Sequence, residues 1–188
     1  MNERNSNEFE ASGLTRRKRQ SGFTLIEVLV SVLVLSIGLV GVATLQAVSL
    51  KNNQSAFMRS QASALAYDLA DRMRSNVLTA DSNLYDPGTA ATIANCKSTA
   101  GCTPQQMAQN DLAEWNAAIA TYLPMGEGFV CIDSTPDDGT EAADPQCDGT
   151  GTQLSVKVWW DDDRDGEINI APPDNPTNIE RHVITIEL

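Results

Sequence analysis

The pattern of hydrophobic and polar positions is dominated by one long apolar stretch. From Val28 to Leu50 there are 23 residues without a charge, rich in Val, Leu and Ile. As a helix this stretch would be roughly 35 Å long, which is enough to cross a bilayer core of about 30 Å. It therefore predicts a membrane-spanning helix. The alternatives are a buried helix of a soluble domain and an uncleaved signal anchor.

The helical period continues beyond Leu50, now with one polar face. No Pro or Gly occurs in residues 42–86, so the pattern predicts one helix over residues 24–77 whose second half packs on a globular head. A membrane anchor followed by a separate soluble helix predicts the same pattern. The apolar stripe recurs at spacings of three and four: Ala62, Leu65, Ala66, Leu69, Met73 and Val77.

A second helix is predicted over residues 104–122. Thr103 is a suitable N-cap, Pro104 fits the first turn, and Gln106 can complete a capping box with Thr103. Trp115 is expected in the core. The apolar face of this helix is Ala108, Leu112, Trp115, Ile119 and Tyr122.

Strand signals follow in residues 128–188. A short apolar run covers residues 128–132, alternation covers 153–160 and 181–188, and a short strand is also predicted at 167–170. These elements suit an antiparallel sheet of three or four strands covered by the long helix, an α+β fold. His182, the one histidine of the chain, is expected to be structural, and a multi-His metal site or His cluster is excluded.

Charge is distributed unevenly along the chain. Residues 1–22 hold five basic and three acidic residues, whereas residues 23–188 hold 8 basic and 22 acidic ones. The basic cluster at residues 16–19 directly precedes the apolar stretch, so the positive-inside rule predicts a cytoplasmic N-terminus and a periplasmic head. The acidic head argues against binding of nucleic acid or of anionic lipid through a basic face.

Glu27 is a carboxylate at the start of the membrane-spanning stretch. An unpaired carboxylate in hydrocarbon is unfavourable by at least a few kcal/mol, so Glu27 needs a partner. No basic residue lies within two helical turns after it. If the chain is cut after Gly22, Phe23 acquires a free α-amino group, and the amine of a neighbouring subunit becomes a natural counter-ion for Glu27.

The stretch Gly-Phe-Thr-Leu-Ile-Glu at residues 22–27, after a short basic leader, resembles the class III signal of type IV pilins and related pseudopilins. The resemblance implies that prepilin peptidase removes residues 1–22 after Gly22 and methylates the Phe23 amine. It also gives Glu27 a role in methylation and subunit docking.

The same resemblance implies the organisation of the chain. Residues 23–50 would be the transmembrane and filament-core helix, and residues 51–188 the pilin head, with helices over 51–77 and 104–122. The fold implied is type IV pilin-like.

Further stretches look like the PilV-type minor pilins, called type IV pilus modification proteins. They are residues 50–57, 66–76 and, less closely, 111–116. The resemblance implies a structural subunit without enzymatic activity, and other pilins and the inner-membrane assembly machinery as partners. The protein would move from the inner membrane to the surface filament, in support of assembly, twitching, adhesion or DNA uptake. Thr44 stands where many major pilins have a helix-kinking Pro, which favours a minor subunit with a straighter helix.

Two other classes of protein remain open. A type II secretion pseudopilin has the same processing and the same helix. A membrane-anchored module would instead use its head for adhesion or calcium binding.

Four cysteines follow the membrane-spanning stretch, on the oxidising side, so disulfides are expected. Three pairings are open. The local spacing favours Cys96 with Cys102 and Cys131 with Cys147, each tying a loop without regular structure. A zinc site is the competitor, but the Cys-x-x-Cys spacing is missing.

Asp161, Asp163 and Asp165, followed by Gly, match the opening of an EF-hand-like calcium loop. The closing Glu is missing, because the twelfth position is Pro172. The alternative is an Asp-Gly hairpin turn between strands, and no other cofactor is predicted. The acids of residues 134–152 are expected to form a solvated surface.

Overall fold

The computed structural model describes residues 22–76, 85–168 and 181–186. Helices precede an antiparallel sheet, as expected of an α+β fold. The elements are helix α1 (Leu25–Ser75), two 3-10 turns (Pro87–Thr89 and Ala94–Lys97), helix α2 (Pro104–Tyr122), and strands β1 (Glu127–Ile132), β2 (Leu154–Trp159) and β3 (Arg181–Ile186).

Helix α1 is continuous over 51 residues, and its contacts place it in two compact units that divide between Ala47 and Val48. In the N-terminal unit every described residue is exposed, including all the large apolar side chains. By length and composition α1 is a candidate membrane span, and no other helix in the described part of the chain qualifies.

In the head, one stripe of α1 packs against one face of α2. The buried α1 residues follow the predicted spacing from Ala62 to Met73, with Met58 added one turn earlier. Trp115 of α2 is buried, and its Nε1 donates to the Leu65 carbonyl at 2.9 Å. The predicted capping box is present: Thr103 Oγ1 accepts from the Gln106 N–H, and the Gln106 side chain accepts from the Thr103 N–H.

The sheet has the order β1-β2-β3, with both pairs antiparallel. Because side chains alternate along a strand, paired residues share a face. One face carries the aligned residues Val130, Val156 and Ile184, which contact the helical core. Gly128 lies on this face where a Cβ would come within 2.4 Å of the Trp115 ring, so the ring packs directly on the strand backbone.

The opposite face of the sheet is covered by an acidic segment, residues 133–148, which we call the cover loop. Lys157 of β2 is fully buried on this face, with its Nζ 2.6 Å from Asp133 Oδ2 and 2.8 Å from Asp138 Oδ1. Arg181 of β3 donates to the Asp137 side chain at 2.8 Å and to the Gly139 carbonyl. Every residue of β2 is therefore buried.

The acids of residues 134–152 are exposed, as expected, except for the half-buried Asp138, which pairs with Lys157. Two other sequence expectations are wrong in detail. Tyr122 is not part of the buried face of α2; its side chain is 60% exposed, since it lies in the last turn. Glu167 and Ile168 are not in a strand, and residues 169–170 lie outside the described residues. Val77 and residues 187–188 also lie outside them.

Candidate functional site

The N-terminal motif lies at the exposed start of α1. Gly22 and Phe23 precede the helix and are exposed, Phe23 to 82%. Thr24 caps the first turn, because its Oγ1 and its carbonyl both face the Glu27 N–H, at 3.4 Å and 3.1 Å. Glu27 is an exposed acid in that first turn. A carboxylate there is stabilised by the partial positive charge of the helix N-terminus.

The apolar half of α1 carries hydroxyl groups that are satisfied within the helix. Ser31, Ser36 and Thr44 each donate to the carbonyl four residues earlier, at 2.7, 2.7 and 3.0 Å. A hydroxyl that already has an acceptor can enter hydrocarbon at much lower free energy than an unsatisfied one. These three hydroxyl groups are thus compatible with an apolar environment, whereas the Glu27 carboxylate needs a partner there.

Two disulfides are present, with the pairing that the spacing favoured. Cys96–Cys102 joins residues with Cα atoms 4.9 Å apart, and Cys131–Cys147 joins Cα atoms 6.2 Å apart. Cys131–Cys147 closes an irregular loop, as expected, and Cys131 itself lies at the end of β1. The second disulfide therefore anchors the far end of the cover loop to the sheet.

The three predicted calcium ligands lie together in a turn after β2. Asp161, Asp163 and Asp165 can each bring one carboxylate oxygen within 4.8 Å of the others. Asp161 is buried, and its two oxygens accept from the backbone N–H groups of Arg164 at 2.6 Å and Gly166 at 2.9 Å. The turn is thus closed by a carboxylate that bonds its own backbone.

Two carboxyl groups of the head, those of Asp138 and Glu114, have lowered pKa values. Burial alone would raise the pKa of Asp138, but hydrogen bonds from Lys157 and Thr135 outweigh it and hold the pKa below its usual range. Hydrogen bonds from Lys97, Arg72 and Asn110 lower the pKa of Glu114 to about 2. These groups act as structural ion pairs.

The buried Lys157 ammonium was not predicted from the sequence. A Lys in an alternating strand indicates a solvent face. The one local signal for a buried face was Trp159, two residues later on the same face, since a Trp is rarely left fully in solvent. Burial lowers the pKa of the expected structural residue, His182.

Two family models match adjoining stretches of the chain. The model described as the prokaryotic N-terminal methylation motif matches residues 17–43, and the one described as type IV pilin Tt1218 matches residues 44–113. The chain is a type IV pilin. Comparison with curated proteins and with solved structures returns no significant match.

The match indicates how a chain with this N-terminal motif is processed and assembled. Pilins are structural subunits rather than enzymes, made as precursors that prepilin peptidase processes, and they assemble with other pilins. The apolar α1 of this pilin fits membrane anchoring before assembly. Residues 114–188, which include the whole sheet, lie outside both matched stretches.

Proposed function

We propose that this pilin is a minor subunit of a type IV pilus, of the PilV type. The observation that carries the proposal is the methylation motif leading directly into α1, whose apolar side chains up to residue 47 are all exposed within the N-terminal unit. A surface of that kind is stable only in lipid or against other apolar surfaces. A subunit that passes from membrane to filament is surrounded first by lipid and then by the apolar surfaces of other subunits.

The motif residues have separate roles in this proposal. Prepilin peptidase cuts the peptide bond after Gly22 on the cytoplasmic side, and a methyl group is transferred to the new Phe23 amine. Glu27 then pairs with the amine of a neighbouring subunit while the α1 helices pack side by side. An ion pair formed away from water is a strong constraint on register, since misplacing it leaves a buried charge.

A minor role is supported by Thr44. Its hydroxyl bonds the Val40 carbonyl, and α1 continues through this position without interruption. A type II secretion pseudopilin shares the motif and the helix, and it is the alternative to a surface filament.

The test is the intact mass and N-terminal sequence of the protein from cells with an active prepilin peptidase, in membrane and sheared-filament fractions. A chain that begins at methylated Phe23 and is recovered in filaments is the expected result. An uncut chain, or a mature chain absent from filaments, would contradict the proposal.

The role of Glu27 is tested in the same fractions. We expect Glu27→Val to block methylation or incorporation, with Ser31→Ala, one turn later, as the matched control. Normal incorporation of Glu27→Val would remove the docking role.

A second proposal is that the turn after β2 binds calcium, supported by the three convergent carboxylates. Calcium would have to compete with the backbone N–H groups for Asp161. Under this proposal calcium raises the melting temperature of the full chain, and Asp163→Asn abolishes the increase while Asp137→Asn, at a 95% exposed carboxylate, does not. If calcium does not shift the melting temperature of the full chain, calcium binding at this turn is ruled out.

A further inference from the structure

Lys157 and Asp133 bring an amine and a carboxyl group into contact beneath the cover loop. Lys157 Nζ lies 2.6 Å from Asp133 Oδ2, and both side chains are 0% exposed. Within the described part of the chain, Oδ2 nevertheless accepts no hydrogen bond. The two atoms therefore touch without the alignment of a hydrogen bond, whereas buried charges are ordinarily both paired and hydrogen-bonded.

The N–H donors of the Lys157 ammonium are directed to other acceptors. They reach Asp138 Oδ1 at 2.8 Å, the Asp138 carbonyl at 3.2 Å and the Pro145 carbonyl at 2.8 Å. An ammonium has three donors and no fourth. The near oxygen of Asp133 therefore faces the nitrogen atom and not one of its hydrogens.

The carboxyl group of Asp133 is held in position by the start of the cover loop. Its Oδ1 accepts from the Thr135 N–H at 3.1 Å, which leaves Oδ2 on the side of Lys157. Asp133 directly follows β1, and Lys157 lies within β2, which pairs with β1. Two groups held in contact by rigid elements react far faster than the same groups free in solution, because their relative freedom is already lost.

We propose that Lys157 and Asp133 condense to form an isopeptide bond that fastens the cover loop to β2. Nζ bonds to Asp133 Cγ, one carboxylate oxygen leaves, and the two protons that the ammonium gives up leave with it as water. The balance closes without an oxidant, a reductant or any other co-reactant. The step also replaces two buried charges by one neutral amide, and burying charges is unfavourable.

Asp138 is placed to carry a proton during this step. Its Oδ1 accepts from Nζ, and its side chain is 39% exposed. It can take one proton from Nζ, which leaves a lone pair that can attack Asp133 Cγ, and then pass the proton to the departing oxygen. Asp138 is a poorer partner for the amide than Asp133, because solvent stabilises an exposed carboxylate in its charged form.

The amide would complement the Cys131–Cys147 disulfide. The disulfide joins the far end of the cover loop to β1, and the amide would join its near end to β2. An amide is not cleaved by thiols, so the near end would stay attached to the sheet after reduction. This inference goes beyond the proposed assembly into a filament and does not depend on it, so either proposal can fail alone.

The first test is the mass of peptides from the wild-type full chain, after reduction, alkylation, denaturation and digestion with trypsin. Lys157 is the one basic residue between Lys97 and Arg164, and trypsin does not cut after a lysine whose amine is acylated. We expect a peptide of residues 98–164 that is uncut after Lys157 and lighter by one water, about 18 Da. Its fragment masses should place the amide between Lys157 and Asp133.

Every other result overturns the proposal. Complete cleavage after Lys157 with unchanged masses would show an ordinary ion pair. The same loss of mass with normal cleavage after Lys157 would show dehydration at another residue. An amide between Lys157 and Asp138 would contradict the assignment of Asp133.

Variants of the full chain test the separate roles. Asp133→Ala leaves Asp138 as a partner for the ammonium and should restore complete cleavage after Lys157, whereas an uncut peptide in this variant would overturn the proposal. Asp137→Ala, at a 95% exposed carboxylate, is the matched control and should leave the peptide uncut. Asp138→Asn should slow formation of the amide by about a hundredfold or more, measured in newly made protein. An unchanged rate in Asp138→Asn would overturn the role of Asp138 as proton carrier.

Discussion

The two faces of β2 are both buried, but by opposite means. One face packs against apolar side chains of α1 and α2, with the Trp115 ring directly on the backbone of Gly128. The other is covered by the cover loop through the buried Lys157 ion pairs and the Cys131–Cys147 disulfide. A single strand therefore depends on close packing on one side and on charge pairing and a cross-link on the other.

The two faces should therefore respond differently to substitution. Apolar packing is sensitive to volume, since cores have the density of organic crystals. A buried ion pair is sensitive to the loss of one partner, because the remaining charge is left without water. Substitutions on each face can separate these two sensitivities.

The largest effect is expected for Lys157→Met, which leaves Asp133 as a buried carboxylate without its cation. The loss of stability should be about 3–5 kcal/mol. It can be measured as a shift in the urea midpoint of the full chain in detergent, followed by fluorescence of Trp115, Trp159 and Trp160. The double variant Lys157→Met/Asp133→Asn is the control and should be more stable than Lys157→Met alone. A double variant that is less stable would show that charge is not the cause.

Next in size is the removal of the disulfide that closes the cover loop. Cys131→Ser/Cys147→Ser should lower stability by about 2–4 kcal/mol, because the unfolded loop regains its freedom. The matched control is Cys96→Ser/Cys102→Ser, which opens a loop with a separation of 6 residues instead of 16. A larger effect in the control pair would contradict the structural role assigned to the cover loop.

A smaller effect is expected from one methyl group on the helix face. Gly128→Ala places a Cβ within 2.4 Å of Trp115 and 2.6 Å of Ile119, so the ring must move. Overpacking of this kind costs about 1–3 kcal/mol. Gly88→Ala, where the nearest side-chain atom is at 3.4 Å, is the control for the loss of glycine itself. If the two variants are equally stable, Trp115 does not pack closely on Gly128.

The smallest effect is expected on the pH dependence of stability, through Glu114 of α2. The folded pKa of Glu114 is lowered from 4.5 to about 2. A lowered pKa means that the carboxylate stabilises the fold above pH 4.5 and that this contribution is lost as the pH falls toward 2. Glu114→Gln should therefore flatten the decline in melting temperature between these values, with Asp137→Asn as an exposed control. An unchanged slope would contradict the assignment.

Local signals in the sequence predicted most of the fold. The helix expected over residues 24–77 is observed at Leu25–Ser75, and the capping box at Thr103 starts α2 where expected. These features depend on residues that are close together along the chain. The alternation of the strands was visible because one face of each strand is apolar. The cysteine pairing could be predicted because the paired cysteines are also close in sequence.

What the sequence could not reveal depends on distant residues. Arg181 bonds a loop 42 to 44 residues earlier, and Lys157 bonds one 19 residues earlier, so neither leaves a local pattern. Calcium binding by the Asp-rich turn stays a prediction, and the two backbone N–H groups that donate to Asp161 had no signal in the sequence.

The reach of Arg181 has a consequence for the order of folding. During synthesis β1, the cover loop and β2 exist before β3 does, and contacts of long sequence separation form slowly. Until residue 181 arrives, the outer edge of β2 offers unpaired N–H and C=O groups to any strand nearby. The half-made head therefore carries an open strand edge until β3 pairs with β2.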